Sequence, residues 1–150
     1  MKDDNINAGP AIDPDAIADI FAEIALEAAV AVMAVYAGDS RARRKLDGSP
    51  VCDADEAAEA IILKRLATRL PNLPVLAEEA ASRGEKKLAG YTFILVDPLD
   101  GTREFLSHNG EFTVNIGLIV DSAPRAGVVY APALGKLWIG GATASTREVA

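Results

Sequence analysis

Residues 93–105 have the sequence FILVDPLDGTREF, and the rest of the chain is best understood outward from them. The four apolar residues 93–96 are rich in β-formers and predict a buried strand. Pro98 cannot donate a hydrogen bond to a neighbouring strand, so we expect the strand to end there. The Gly-Thr pair at 101–102 allows a tight turn, and we expect residues 103–106 to form a short helix beyond it.

Two aspartates three positions apart, Asp97 and Asp100, follow this strand. Carboxylate oxygens are the ligands that Mg²⁺ prefers, and free N–H groups at the start of a helix can bind a phosphate. Aspartates are also common as turn and cap residues. Six specific positions (DPLDGT, 97–102) coincide after a buried strand, however, which favours a site that holds a metal-bound phosphate ester.

Composition narrows the class of protein. The chain has 150 residues, of which 50% are hydrophobic and 25% charged, as expected for a globular protein with one sizeable core. Its net charge of −7 argues against binding to nucleic acid or to an anionic membrane surface. The single cysteine, Cys52, cannot form an internal disulfide, which fits a reducing cytoplasm.

The amino-terminal residues lack the basic-then-apolar pattern of an export signal. We expect residues 1–12 to be a flexible leader and residues 13–150 to form one α+β portion. We also expect no transmembrane segment, because the longest apolar stretch, Ala28 to Ala37, is too short and belongs to an amphipathic pattern.

Two helices are predicted before the central strand. Asp13 is a typical N-cap with proline directly after it, apolar residues then recur at helical spacing, and Gly38 is a typical stop. Asp53 and Glu56 form a capping pattern for a second helix that ends before Pro71. Asp55 lies in the first turn of that helix, where its ordinary role is to complement the helix dipole.

Further short strands surround the central one. Residues 74–77 predict a strand that leads into Glu78 and Glu79. Glutamates are common on protein surfaces, so this pair alone is weak evidence of a site. Residues 112–120 alternate as a strand, 121–126 predict a turn, and 127–131 and 137–139 predict two more strands. We expect Trp138 to pack in the core, because its neighbours are apolar.

Three motifs resemble the inositol monophosphatase superfamily of metal-dependent, lithium-sensitive phosphatases. They are DGSPVCDAD at 47–55, PVLAEE at 74–79 and VDPLDGT at 96–102, in the family's order. The resemblance extends from Pro14 to Gly141 and implies a mixed α/β (α+β) fold with an α-β-α-β-α layering. Here we expect it to be reduced to helices packed on a largely antiparallel sheet, with the second α/β portion missing.

The sequences GTREF at 101–105 and NGEFTVNI at 109–116 resemble the 3′(2′),5′-bisphosphate nucleotidase branch of this superfamily. The branch implies a phosphoric monoester hydrolase that removes the 3′-phosphate of adenosine 3′,5′-bisphosphate, a by-product of sulfate assimilation. It also implies a cytoplasmic location, with peripheral association at the cytoplasmic side of the inner membrane as an extension.

The resemblance implies a role for each matched residue. Glu78, Asp97 and the Leu99 carbonyl resemble the ligands of a first Mg²⁺, and Asp97 and Asp100 resemble ligands of a second. A complete site in the family holds two or three Mg²⁺ ions.

The same motifs imply the remaining catalytic parts. Asp55 and Thr102 resemble the pair that orients and deprotonates the attacking water, and Glu78 belongs to the same catalytic group. The N–H groups of Gly101 and Thr102 resemble the family's phosphate cradle.

Two features depart from the family pattern. Cys52 stands where the family commonly has threonine, and the later Trp-Asp motif, whose aspartate completes the second metal site, is absent. The alternatives are therefore an inositol monophosphatase-like phosphatase or a catalytically inactive fragment. We also expect the truncated chain to self-associate. A haloacid-dehalogenase-type phosphatase fits less well, because its two aspartates are two positions apart, whereas Asp97 and Asp100 are three apart.

Overall fold

The computed structural model describes residues 12–38, 43–44, 50–51, 53–77 and 91–149. Several residues of the sequence predictions lie outside these ranges: residues 1–11 of the expected leader, residues 47–49 and Cys52 of the DGSPVCDAD motif, Glu78 and Glu79. The helices and strands, numbered in chain order, are α1 (Pro14–Ala37), β1 (Arg43–Arg44), β2 (Pro50–Val51), α2 (Asp53–Arg69), β3 (Val75–Ala77), β4 (Thr92–Asp100), α3 (Thr102–Leu106), β5 (Thr113–Val120), β6 (Ala123–Ala131), β7 (Lys136–Gly140) and β8 (Ala144–Glu148).

The first helix begins and ends where its sequence predicts. The Asp13 carboxylate accepts hydrogen bonds from the N–H groups of Asp15 and Ala16, at 3.0 and 3.4 Å. Pro14 occupies the first turn, where its missing N–H costs nothing, and Gly38 follows the last helical residue. The second helix begins at Asp53 itself, one residue earlier than a cap at that position implies.

The described strands form one six-stranded sheet, in the order β3-β4-β5-β6-β7-β8, and a separate two-stranded sheet of β1 and β2. Only β3 runs parallel to its neighbour in the larger sheet, so the prediction of helices packed on a largely antiparallel sheet is confirmed. Helix α1 packs against β5, β6, β7 and α2, while α2 also contacts β4. One face of the sheet therefore carries both long helices.

By length and composition, the whole of α1 is long and apolar enough to cross a membrane. The sequence argument against a membrane span considered only the shorter stretch from Ala28 to Ala37. The helix instead has nine buried residues in the structure, and they belong to the core formed with α2 and the sheet. Core helices of soluble proteins share this composition. The helix is therefore weak evidence for a membrane span.

The prediction that Trp138 packs in the core is wrong, since this side chain is 41% exposed. Leu137 and Ile139 are both buried in the core that includes α1. Because side chains alternate along a strand, Trp138 must point to the opposite face of the sheet. We call this the open face, since neither long helix packs on it.

Two strand boundaries and one whole strand also differ from the sequence expectation. Strand β4 continues through Pro98 to Asp100, because a bulge removes the need for a ladder hydrogen bond at the proline. The expected turn at 121–126 shrinks to Asp121 and Ser122, whose positive φ angles of 49° and 66° make a tight hairpin. Strand β8 was not foreseen, because its residues are all exposed and carry no apolar pattern.

Candidate active site

The two aspartates of the DPLDGT motif flank a β-bulge. Asp97 pairs with Asn115 of β5, and pairing resumes only at Asp100, which lies opposite Thr113. Pro98 and Leu99 thus oppose a single β5 residue, which is the defining count of a bulge. Such irregularities turn side chains in new directions and are common beside active sites. Here the bulge lies at the end of β4, and its four consecutive residues carry two carboxylates and the Leu99 peptide.

The turn after the bulge requires a glycine. Gly101 has a φ of +87°, a region that other residues rarely adopt. A Cβ atom there would lie 3.0 Å from the Glu111 carbonyl oxygen and 3.3 Å from the Phe112 Cα. Helix α3 begins directly afterwards at Thr102, and the Gly101 carbonyl accepts from the N–H of Phe105 at 2.9 Å.

Aromatic packing holds α3 in place. Phe105 and Phe112 are fully buried and make an edge-to-face contact with ring centroids 5.1 Å apart. Tyr36, near the end of α1, packs against both rings at 5.4 and 4.8 Å and stacks on His108 at 4.6 Å. Helix α3 is therefore packed, through Phe105, against the end of α1 and the residue before β5 rather than lying in a free loop.

Asn115 is a polar residue of this region that sequence reasoning missed as part of the site. Its Nδ2 donates to Asp100 Oδ2 at 3.3 Å, and its backbone lies opposite Asp97. Its own Oδ1 is buried and accepts no hydrogen bond from the described residues. The available signal was an asparagine between Val114 and Ile116 in an otherwise apolar strand.

Comparison with known proteins places this geometry in a family. Residues 13–146 match the sequence profile of the inositol monophosphatase family. The chain belongs to the inositol monophosphatase family. The motif-based resemblance and the expected fold class are thereby confirmed.

Named relatives narrow the likeness within the family. The chain is 47% identical over 126 residues to the 3′(2′),5′-bisphosphate nucleotidase CysQ of Salmonella typhimurium, covering 77% of this chain and 51% of that protein. It is 44% identical to CysQ of Escherichia coli K12, covering 80% of this chain and 50% of that protein. The crystal structure of CysQ from Bacteroides thetaiotaomicron superposes with a TM-score of 0.71 at 34% identity, covering 89% of this chain and 49% of that one. The chain thus spans about half the length of the curated relatives it matches.

Five of the residues expected from the family motifs lie together on the bulge and the turn. They are Asp97, Leu99, Asp100, Gly101 and Thr102. Asp97 and Thr102 are half-buried, Leu99 is buried and Asp100 is exposed.

The other two expected residues, Asp55 and Glu78, belong to other segments of the chain. Asp55 is half-buried in the first turn of α2, the helix that contacts β4. Glu78 follows β3, the parallel neighbour of β4, but lies outside the described residues. Its role remains a prediction.

The donor set on the bulge suits a hard divalent cation. Two carboxylates and a backbone carbonyl are oxygen ligands of the kind that Mg²⁺ takes, and no thiol or imidazole competes on the motif. Within the described ranges, no three acidic, histidine or cysteine side chains form a group that could hold a metal. The bulge therefore offers oxygen donors of the right kind but no complete cation site by itself, and Glu78 is the third carboxylate that the sequence predicts for such a site.

Proposed function

We propose that the protein to which this chain belongs is a Mg²⁺-dependent 3′(2′),5′-bisphosphate nucleotidase. Its substrate is adenosine 3′,5′-bisphosphate, from which it releases the 3′-phosphate as inorganic phosphate. The observation that carries the proposal is the bulge with Asp97 and Asp100 followed directly by the Gly101 turn. The names of the relatives in Salmonella and Escherichia coli support this substrate over other phosphate esters.

The residues of this chain divide the work as follows. Asp97, Asp100, the Leu99 carbonyl and Glu78 hold the Mg²⁺ ions, of which the complete site takes two or three. When bound, such ions neutralise phosphate charge and make water a better nucleophile.

The phosphate and the water are handled by neighbouring groups. The N–H groups of Gly101 and Thr102 bind the phosphate oxygens at the start of α3. Asp55 and Thr102, with Glu78, orient the attacking water and take up its proton. The water oxygen forms a bond to phosphorus, the bond between phosphorus and the 3′-oxygen breaks, and adenosine 5′-phosphate leaves with a proton on that oxygen.

The location of the protein, its partner and its domain organisation are part of the same proposal. We place the protein in the cytoplasm, since its only cysteine cannot pair internally, with peripheral contact to the inner membrane as an extension. Its partner is a small phosphate ester and not nucleic acid, in keeping with the net charge of −7. We treat residues 13–150 as one α+β portion of the family fold.

Steady-state kinetics of the complete protein test the proposal. We expect kcat/KM to be higher for adenosine 3′,5′-bisphosphate than for inositol monophosphate, and hydrolysis to require Mg²⁺. Asp97→Asn, which removes the charge shared by both cation positions, should abolish Mg²⁺-dependent turnover. Asp121→Asn, a matched change in the exposed β5–β6 turn, should leave turnover as in the wild type.

Each failure has a distinct meaning. Wild-type turnover by the Asp97→Asn variant would refute the metal assignment. A preference for inositol monophosphate would favour the inositol monophosphatase-like alternative. Hydrolysis of neither substrate by the 150-residue chain, assayed in the same way, would favour the catalytically inactive fragment.

A further inference from the structure

Asn115 lies between the two aspartates of the bulge on the open face of the sheet. In β5 the buried residues Val114 and Ile116 point toward the helices, so the alternation turns Asn115 to the opposite face. Its register partner is Asp97, while its side chain reaches Asp100 on the far side of the bulge. Asn115 thus meets both ends of the irregular segment, one through its backbone register and the other through its side chain.

The orientation of this amide is determined by charge. Asp100 is a carboxylate and can only accept hydrogen bonds when ionised, so the NH₂ group of Asn115 must face it. The hydrogen bond of 3.3 Å from Nδ2 to Asp100 Oδ2 leaves Asn115 Oδ1 turned away from Asp100. That oxygen is buried and accepts no hydrogen bond within the described part of the chain.

A buried acceptor without a donor is unfavourable, and in native proteins it calls for an explanation such as a missing water or ion. An apolar side chain of similar size would avoid this cost. The asparagine is therefore better explained by a role in the ligand-bound site than by a contribution to the stability of the ligand-free protein.

We propose that Asn115 is a positioning residue for the cation site, and this inference rests on the proposed function. Its Nδ2 holds the Asp100 carboxylate in one orientation, so that Asp100 need not be ordered when Mg²⁺ binds. Its Oδ1 accepts a hydrogen bond from a water or a substrate hydroxyl group that enters with the ion. Groups that orient metal ligands in this way commonly change affinity by about 10–100-fold when they are removed.

The test is Asn115→Leu in the complete protein, with Mg²⁺ alone as the ligand. Leucine has a similar size and removes both the donor to Asp100 and the orphaned acceptor. We expect the dissociation constant for Mg²⁺, measured by calorimetry, to rise about 10-fold. In metal-free buffer we expect the unfolding temperature to be unchanged or higher, because no buried acceptor is left unpaired.

Two further variants make the comparison specific. Thr146 is exposed and lies at the far end of the row of register partners that crosses the sheet from Asn115. Thr146→Val is therefore a matched polar-to-apolar change, and it should alter neither the dissociation constant for Mg²⁺ nor the unfolding temperature. Asp97→Asn should remove Mg²⁺ binding and so shows that the titration reports this site.

The possible results distinguish the proposed role of Asn115 from the proposed nucleotidase function. Tight Mg²⁺ binding by the wild type together with an unchanged affinity in Asn115→Leu would overturn the role of Asn115 and leave the nucleotidase proposal standing. A loss of metal-free stability that matches the loss of affinity would also overturn it, because it would indicate a purely structural residue. A wild-type protein that binds no Mg²⁺ would overturn both.

Discussion

At the scale of the residue, Gly101 carries the strongest local requirement in the site. Its φ of +87° and the two backbone atoms within 3.3 Å of a virtual Cβ leave no room for another side chain. We expect Gly101→Ala to lower the free energy of unfolding by about 1–3 kcal/mol, since the turn must move or remain strained. KM for the phosphate substrate should rise as well, because the turn presents the N–H groups proposed to bind it. Thermal denaturation and steady-state kinetics measure the two effects.

Gly140→Ala is the matched control, because nothing lies within 4 Å of a Cβ at that position. It should leave KM unchanged. Equal effects of the two substitutions would contradict a special role for the Gly101 turn.

At the scale of the element, α3 is a single short helix that depends on its aromatic contacts. Phe105 is its fully buried residue, and isolated helices of this length are unstable in water. We expect Phe105→Ala to cost about 3–5 kcal/mol in unfolding free energy. Because α3 begins at Thr102, substrate binding should weaken in the same variant even where it remains folded. Chemical denaturation followed by circular dichroism measures the stability.

Phe93→Ala tests whether any phenylalanine near the site would do the same. Phe93 lies on β4 but is only half-buried, so its loss should be clearly smaller. A larger effect at Phe93 would show that the helix-side core does not hold α3.

At the scale of the whole molecule, the open face of the sheet is the least protected apolar surface that the structure describes. A groove of about 880 Å³ crosses it, and Val129 and Trp138 among its lining residues are 40% and 41% exposed. Contiguous exposed apolar surface and an exposed edge strand such as β8 favour association. We propose that the 150-residue chain self-associates through this face, and that Trp138→Gln weakens the association in sedimentation velocity.

Leu134→Gln provides the control for the open face. Leu134 is 50% exposed but lies in the β6–β7 turn, outside the groove. It should therefore leave association unchanged. A wild-type chain that stays monomeric at all concentrations would refute the proposal.

Local chemistry determined much of this protein in advance. The Asp13-Pro14 start of α1 follows from one capping carboxylate and one fixed φ angle, and both act within a single turn. The Gly-Thr pair of the DPLDGT motif at 97–102 likewise predicted a turn and a short helix, because each depends on a few consecutive residues, whereas the strand end expected at Pro98 was wrong. The family was therefore accessible from the sequence, through the residues of its motifs.

Only the tertiary structure decided which residues meet across the sheet. Pro98 could stay within β4 because pairing with β5 skips one position, and that register is set by the core and not by the proline. Trp138 faces away from α1 because Leu137 and Ile139 fill the core, a choice that apolar neighbours cannot reveal. The contact from Asn115 to Asp100 joins residues 15 positions apart through the same bulge. Such features depend on packing and register between distant segments, which no local pattern encodes.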